Sequence, residues 1–266
     1  MTRISSISFA LILLLFTFTG CQSESDTAAT EADEAAETAE ADEMQNVEWG
    51  YSGEGAPENW ADISEDFAAC DGQMQSPIDI PTGDNPEETS SISMSYEPAE
   101  GTLKDAGYVL QMDISGGTLT IDDKAYQLAQ LHFHTPSEHT IDGTRYPAEV
   151  HLVHAADDGQ LAVVGVMFEE GEENAALAEF WNNIPNIEEA GAVNFNAGSL
   201  LPDDRTAYTY SGSLTTPPCS EVVSWHVMET PVSISAEQLE TLTNMHDDNE
   251  RPIQPLNDRT VEVAEL

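Results

Sequence analysis

His132 and His134 flank Phe133 in the run Gln130-Leu131-His132-Phe133-His134, and His151 lies in a second run, Glu149-Val150-His151-Leu152-Val153-His154. On an extended strand a spacing of two turns both imidazoles to one face and sends Phe133 to the other. The connection between the runs carries the turn residues Asp142-Gly143, so the two strands are expected to lie close in one sheet. His151 would then complete a set with His132 and His134. Three neutral imidazoles leave one tetrahedral position of a zinc ion open, which is the arrangement of catalytic rather than structural zinc. A lone His-x-His pair also arises in jelly-roll metal proteins and by chance; the third histidine on a neighbouring strand narrows the reading.

The elements that must position these residues are mostly strands. Alternating runs recur at Tyr108–Ile114, Thr118–Ile121, Gln130–His134, Glu149–Ala155, Leu161–Phe168 and Val222–Val227, separated by Gly-, Asp- and Pro-rich turns. Two helices are expected. One covers Asn174–Asn182 with Leu177, Phe180 and Trp181 on one face, and the other follows Ser235, where Gln238 completes a capping box. Many strands and few helices point to a mainly β fold built on a large, mostly antiparallel sheet.

The chain begins with a leader. Residues 1–20 hold one base, Arg3, then an apolar run from Phe9 to Phe16 and small or polar residues before Cys21. That is a secretory signal peptide, too short to span a bilayer. Cys21 after Thr19-Gly20 is similar to a bacterial lipoprotein site, with the cysteine diacylated as the new N-terminus; ordinary cleavage with a free Cys21 is the alternative. The expectation is an exported protein, held to a bacterial membrane only through its lipid anchor. Residues 21–46 contain 9 acids, no base and no aromatic, and read as a solvated tether. Residues 47–266 form one domain, with 41 acids against 6 bases, net −35.

The whole chain of 266 residues carries −43, which repels phosphate backbones and excludes nucleic acid as a partner. Its 40% hydrophobic content rules out a wholly disordered acidic protein. Beyond Cys21 there are two cysteines, Cys70 and Cys219. In an oxidising compartment they are either a bridge closing a loop of roughly 150 residues or two buried thiols.

Beyond spacing, the chain resembles the α-class carbonic anhydrases. The resemblance rests on Gln130–Thr140 (Gln-Leu-His-Phe-His-Thr-Pro-Ser-Glu-His-Thr), Ala148–His154, Ser213–Cys219, Trp49-Gly50-Tyr51, Gln75–Asp79 and Asn249–Pro255. These blocks follow the family order across nearly all of residues 48–260. The resemblance implies a central, mostly antiparallel ten-stranded sheet with a conical zinc cleft, and reversible hydration of carbon dioxide to bicarbonate by zinc hydroxide. It implies His132, His134 and His151 as zinc ligands, with Gln130, Glu149 and Asn249 supporting them from behind. It makes Thr215 the residue that takes a hydrogen bond from zinc hydroxide, with Glu138 accepting from Thr215. Val153, Val163, Leu214 and Trp225, with Thr216 beside them, become the wall where carbon dioxide rests. Cys70 and Cys219 match the disulfide of secreted members.

Each assignment has a plainer reading. Glu138 is one acid among 50, and Val153, Val163 and Leu214 would be core residues on any β fold. His139 resembles a buried structural histidine of the family. His154 has the opposite strand parity to His151 and is expected behind the site, while His226 and His246 carry no assigned role. A non-catalytic zinc- or partner-binding surface lipoprotein on the same scaffold is the alternative function; a lost ligand histidine would mark it. For oligomeric state, monomer and dimer both stay open.

One departure stands out. Fast family members carry a rim histidine that exports the proton, and Tyr108 occupies that position here. A free tyrosine has a pKa of about 10, poorly matched to proton transfer near neutrality. Proton transfer is therefore expected to limit turnover at neutral pH, with Tyr51, similar to a cleft tyrosine that orders water, as a further part of a relay. Self-repulsion at −35 points to a saline, alkaline setting, because salt at 1 M screens charges beyond roughly 3 Å.

Overall fold

The apolar–polar alternation is realised as sheet. The computed structural model describes residues 48–184, 187 and 191–266; the expected leader at 1–20, the expected lipid site Cys21 and the acidic segment to residue 46 lie outside the described residues. The strands are β1 (Asp79–Ile80), β2 (Ile92–Tyr96), β3 (Ala99–Asp105), β4 (Leu110–Ile114), β5 (Gly117–Ile121), β6 (Lys124–His134), β7 (Thr140–Ile141), β8 (Thr144–Arg145), β9 (Ala148–Ala155), β10 (Leu161–Glu170), β11 (Val193–Phe195), β12 (Thr206–Gly212), β13 (Val223–Met228), β14 (Val232–Ile234) and β15 (Glu262–Glu265). The α-helices are α1 (Trp60–Ile63), α2 (Ala178–Asn183) and α3 (Ala236–Met245).

The main sheet runs β11-β3-β4-β6-β9-β10-β13-β12-β15, with β2, β5 and β14 attached beside this path. It holds twelve strands rather than the expected ten. The excess comes from two long strands that change partner along one edge. β6 pairs with β5 through Lys124–Gln127 and with β4 through Gln130–Phe133. β10 pairs with β13 through Leu161–Gly165 and with β14 through Phe168–Glu170. Both β10 pairings on that edge are parallel and the sheet's other pairings are antiparallel, so the sheet is mixed with antiparallel pairing dominant.

The region read as one helix from Asn174 divides in two. Asn174 caps a 3₁₀ turn, Ala175–Leu177, by accepting from Ala176 N, and α2 follows. Leu177 and Phe180 are buried and the Trp181 indole donates to Gln238 O at 3.2 Å. Ser235 and Gln238 form the expected capping box of α3.

One face of the sheet packs the larger core, including Leu131, Phe133, Val150, Leu152, Val164 and Phe168. The other face carries Val163, Tyr208, Tyr210, Val223 and Trp225. A third cluster joins Trp60 and Ile63 to a Cys70–Cys219 disulfide across 149 residues of sequence, which settles bridge against free thiols. A closed loop of that length removes about 4–5 kcal/mol of denatured-state entropy in the chain model. The double variant Cys70→Ser/Cys219→Ser is therefore expected to lose about 2–5 kcal/mol in urea unfolding; an unchanged midpoint would show that the bridge constrains nothing.

Candidate metal centre

The three histidines meet because of register. In the β6–β9 ladder His132 stands opposite His151 and His134 opposite Glu149. A bulge between Leu128 and Gln130 inserts one residue into β6. It reverses the alternation, so Leu128 and Leu131 both join the core while Gln130, His132 and His134 line or adjoin the cleft. Without it, keeping Leu128 inside would turn the histidines into the core.

Each imidazole is fixed by an acceptor behind it. His132 Nδ1 donates to Gln130 Oε1 at 2.8 Å, His134 Nδ1 to the Asn249 carbonyl at 2.8 Å, and His151 Nε2 to Glu149 Oε1 at 2.9 Å. These bonds set the tautomers, so the opposite nitrogens present lone pairs. His132 Nε2 and His151 Nδ1 are 3.3 Å apart, His134 Nε2 is buried without a hydrogen-bond partner, and the three groups offer ligand atoms within 4.8 Å of one another. Lone pairs converging on one point repel unless a cation or proton lies between them. Two nitrogens bound at about 2.0–2.1 Å to one tetrahedral zinc stand about 3.3–3.4 Å apart. The donor set therefore fits the metal. Burial pushes the pKa of His134 down to about 4 and holds those of His132 and His151 low as well, which keeps the imidazoles neutral, as ligands must be.

Glu149 also accepts from His139 Nδ1 at 2.9 Å and from the backbone of Glu138 and His139. Burial raises its pKa, but His139 and His151 outweigh burial and hold it well below the usual carboxylate range. His139 passes the chain on to the Tyr210 hydroxyl at 2.6 Å. The grouping His139–Glu149–His151 is thus internally hydrogen-bonded and braces the ligand from behind. Gly165 makes room for it, since a methyl there would stand 2.8 Å from Glu149 Oε1.

Glu138 is buried beside the ligands, its Oε2 3.5 Å from His134 Nε2 and 3.9 Å from His151 Nδ1. Its Oε1 accepts from Arg251 N at 2.8 Å. Burial raises its pKa, while His151, Arg251 N and the Thr215 hydroxyl act against that rise. Its Oε2 is buried without a hydrogen-bond partner.

The cleft above the histidines has about 90 Å³ of free volume and is lined by Val153, Val163, Leu214, Thr215, Thr216, Trp225 and Tyr108, with Val109, Gln111 and Gln130 completing the wall. Tyr108 packs against Trp49 at 4.7 Å between ring centroids. Tyr51 lies apart from this wall, in the neighbouring rim cavity, and burial pushes its unpartnered hydroxyl well above the ordinary tyrosine range. His154 is buried behind the sheet, bonded to Ala162 O and the Tyr96 hydroxyl.

Residue-by-residue reading gave Arg251 no role. Its guanidinium donates to Gln75 Oε1, Ser76 O and Cys70 O at 2.8–2.9 Å and lies over Trp60. The available signal was one of only 7 bases embedded in a block shared with a family.

A large sheet thus carries three imidazoles that could hold one metal ion beneath an apolar cleft. The family model for eukaryotic-type carbonic anhydrase matches residues 55–265, and the chain belongs to that family of enzymes. It is 41% identical over 222 residues to a carbonic anhydrase of Pectobacterium carotovorum, covering 81% of this chain and 91% of that one. It is 40% identical over 227 residues to one from Nostoc, covering 82% and 86%. The α-carbonic anhydrase of Thermovibrio ammonificans, solved with the inhibitor sulfanilamide, superposes with a TM-score of 0.76 at 42% identity, covering 82% of this chain and 99% of that one.

Proposed function

We propose that this chain is a zinc enzyme that interconverts carbon dioxide and bicarbonate. The observation that carries the reading is the set of tautomers fixed by Gln130, Asn249 and Glu149, which aims three lone pairs at one point below an apolar cleft. His132, His134 and His151 would hold the ion. Bound zinc supplies a nucleophile at neutral pH by lowering the pKa of a coordinated water, and carbonic anhydrase is itself the standard case.

The chain's own residues do the rest. Thr215, giving its proton toward Glu138, has a lone pair free to accept the hydrogen of the attacking oxygen, which orients that oxygen toward the substrate. Glu138 holds this polarity because Arg251 N anchors its other oxygen. Val153, Val163, Leu214 and Trp225 offer a small apolar wall suited to an uncharged substrate of a few atoms. The non-catalytic alternative would call for a missing ligand, and all three histidines are present. Export and acylation at Cys21 belong to the same proposal: the enzyme would work outside the cytoplasm, held to its membrane by lipid.

The test is zinc content together with carbon dioxide hydration. One zinc per chain is expected, with activity lost to a chelator and restored by zinc. A folded, zinc-loaded protein without activity would overturn the reading.

A further inference from the structure

Arg251 is a buried cation, 2% exposed, and among the described residues no carboxylate bonds its guanidinium. Nη1 donates to Gln75 Oε1 at 2.8 Å and to Ser76 O at 2.9 Å, and Nη2 donates to Cys70 O at 2.8 Å. Nε is buried without a partner. Burial pushes the pKa down to about 10, which leaves the group charged at neutral pH. A charge buried on neutral partners is costly, and an apolar side chain of similar volume fills such a space as well or better. Packing alone therefore does not explain an arginine here, and what its fork holds becomes the question.

The three acceptors are the residues that fix the loop carrying Thr215. Ser76 N donates to Ser213 Oγ at 2.9 Å, and Ser213 N returns a bond to Ser76 Oγ at 3.1 Å. Gln75 Nε2 donates to Cys219 O at 3.2 Å. Cys70 is joined to Cys219 by the disulfide. The loop is thus held two residues before Thr215 and four residues after it, and both holds end on the Arg251 guanidinium. The backbone of the same residue serves the other side, since Arg251 N donates to Glu138 Oε1 at 2.8 Å.

We propose that Arg251 is a positioning residue that sets Thr215 against Glu138, holding the loop of one through its guanidinium and the carboxylate of the other through its backbone. This rests on the zinc carbonic anhydrase reading above, in which Thr215 and Glu138 together orient the attacking oxygen. The planar fork reaches three oxygens from two nitrogens at fixed angles. Lysine offers its donors from a single atom and cannot span them. A misplacement of about 1 Å at reacting groups can cost on the order of 100-fold. The loss should fall on kcat/KM, which reports transition-state stabilisation from free enzyme and substrate. Turnover, where proton transfer is expected to limit, should fall less.

The experiment compares Arg251→Lys with wild type, with rates taken per zinc-loaded chain. kcat/KM for carbon dioxide hydration is expected to fall about 10–100-fold, and kcat by less. In a Thr215→Ala background the same change should cost little more, because the group it positions is gone. The second readout needs no metal. The amides of Ser213, Leu214 and Cys219 are bonded to Ser76 Oγ, Ser220 O and Thr216 O. In zinc-free Arg251→Lys, amide exchange across residues 213–219 should rise about tenfold while β6 and β9 keep their protection. If Arg251→Lys does not fold, Gln75→Met takes its place with the same expectations, since it cuts one acceptor of the fork and the tie to Cys219. Wild-type kcat/KM in the variant would overturn the proposal, and so would a loss that adds in full to that of Thr215→Ala. Exchange raised evenly through the sheet would also overturn it, by showing a general role in stability. Wild-type protein without hydration activity would instead remove the enzymatic reading, with the exchange pattern still deciding whether Arg251 holds the loop.

Discussion

Replacing His134 with alanine is expected to strip zinc from the protein and take carbon dioxide hydration with it. His134 is fully buried, and the change removes more than one ligand. It leaves the Asn249 carbonyl without its 2.8 Å donor and opens a void beside Glu138 Oε2, 3.5 Å from the lost nitrogen. A partner one step behind a metal ligand typically contributes 10–100-fold in affinity or activity, so losing the ligand itself should exceed a factor of about 100. Gln130→Ala supplies the graded comparison. It removes only the acceptor behind His132 and should fall within about 10–100-fold. Metal analysis after dialysis, read beside hydration rates, separates the two variants. Were His134→Ala to retain one tightly bound zinc, the ligand set would be wrong.

How much of this centre was legible from the chain depends on distance along it. The common face of His132 and His134 is a consequence of strand period, and the capping box of α3 lies within four residues. Both are local and both were readable. The bulge at Leu128/Gln130 was not, because neither pairing partner is known until the sheet is assembled, yet it decides which face the histidines take. Arg251 reaches Cys70 across 181 residues and Glu138 across 113; no local pattern marks a contact of that kind. His246 meets Asp105 across 141 residues, a contact of the same kind. Partner changes along β6 and β10 are likewise tertiary, which is why the sheet carries two strands more than expected. Family resemblance supplied what periodicity lacked for Thr215 and Glu138.

The second large effect is acid destabilisation, and it acts against the direction that the chain's charge suggests. A domain at −35 should gain from protonation, since self-repulsion falls. His154 and His226 oppose this from the interior. Burial pushes both to about 4. His226 Nδ1 has no partner, and Ser224 Oγ lies at 3.1 Å from its Nε2. A histidine whose pKa is lower folded than unfolded lets the unfolded chain bind more protons between those values. Stability therefore falls as pH drops from about 6.5 toward 4, at up to about 1.4 kcal/mol per pH unit for each histidine. The two contributions are separable by salt. At molar salt the Debye length is roughly 3 Å and long-range repulsion is screened, whereas a buried imidazole is hardly affected. At pH 7 the melting temperature should rise from low to molar salt. At molar salt, urea stability should then decline below pH 6.5. His226→Gln, which keeps a hydrogen-bonding side chain beside Ser224, should flatten that decline by close to one proton relative to wild type, while contributions from the metal ligands cancel in the comparison. Parallel pH profiles for the two proteins would show that His226 binds its proton equally in the folded and unfolded states, and a salt-independent melting temperature would show that the charge of the domain is already compensated in the fold.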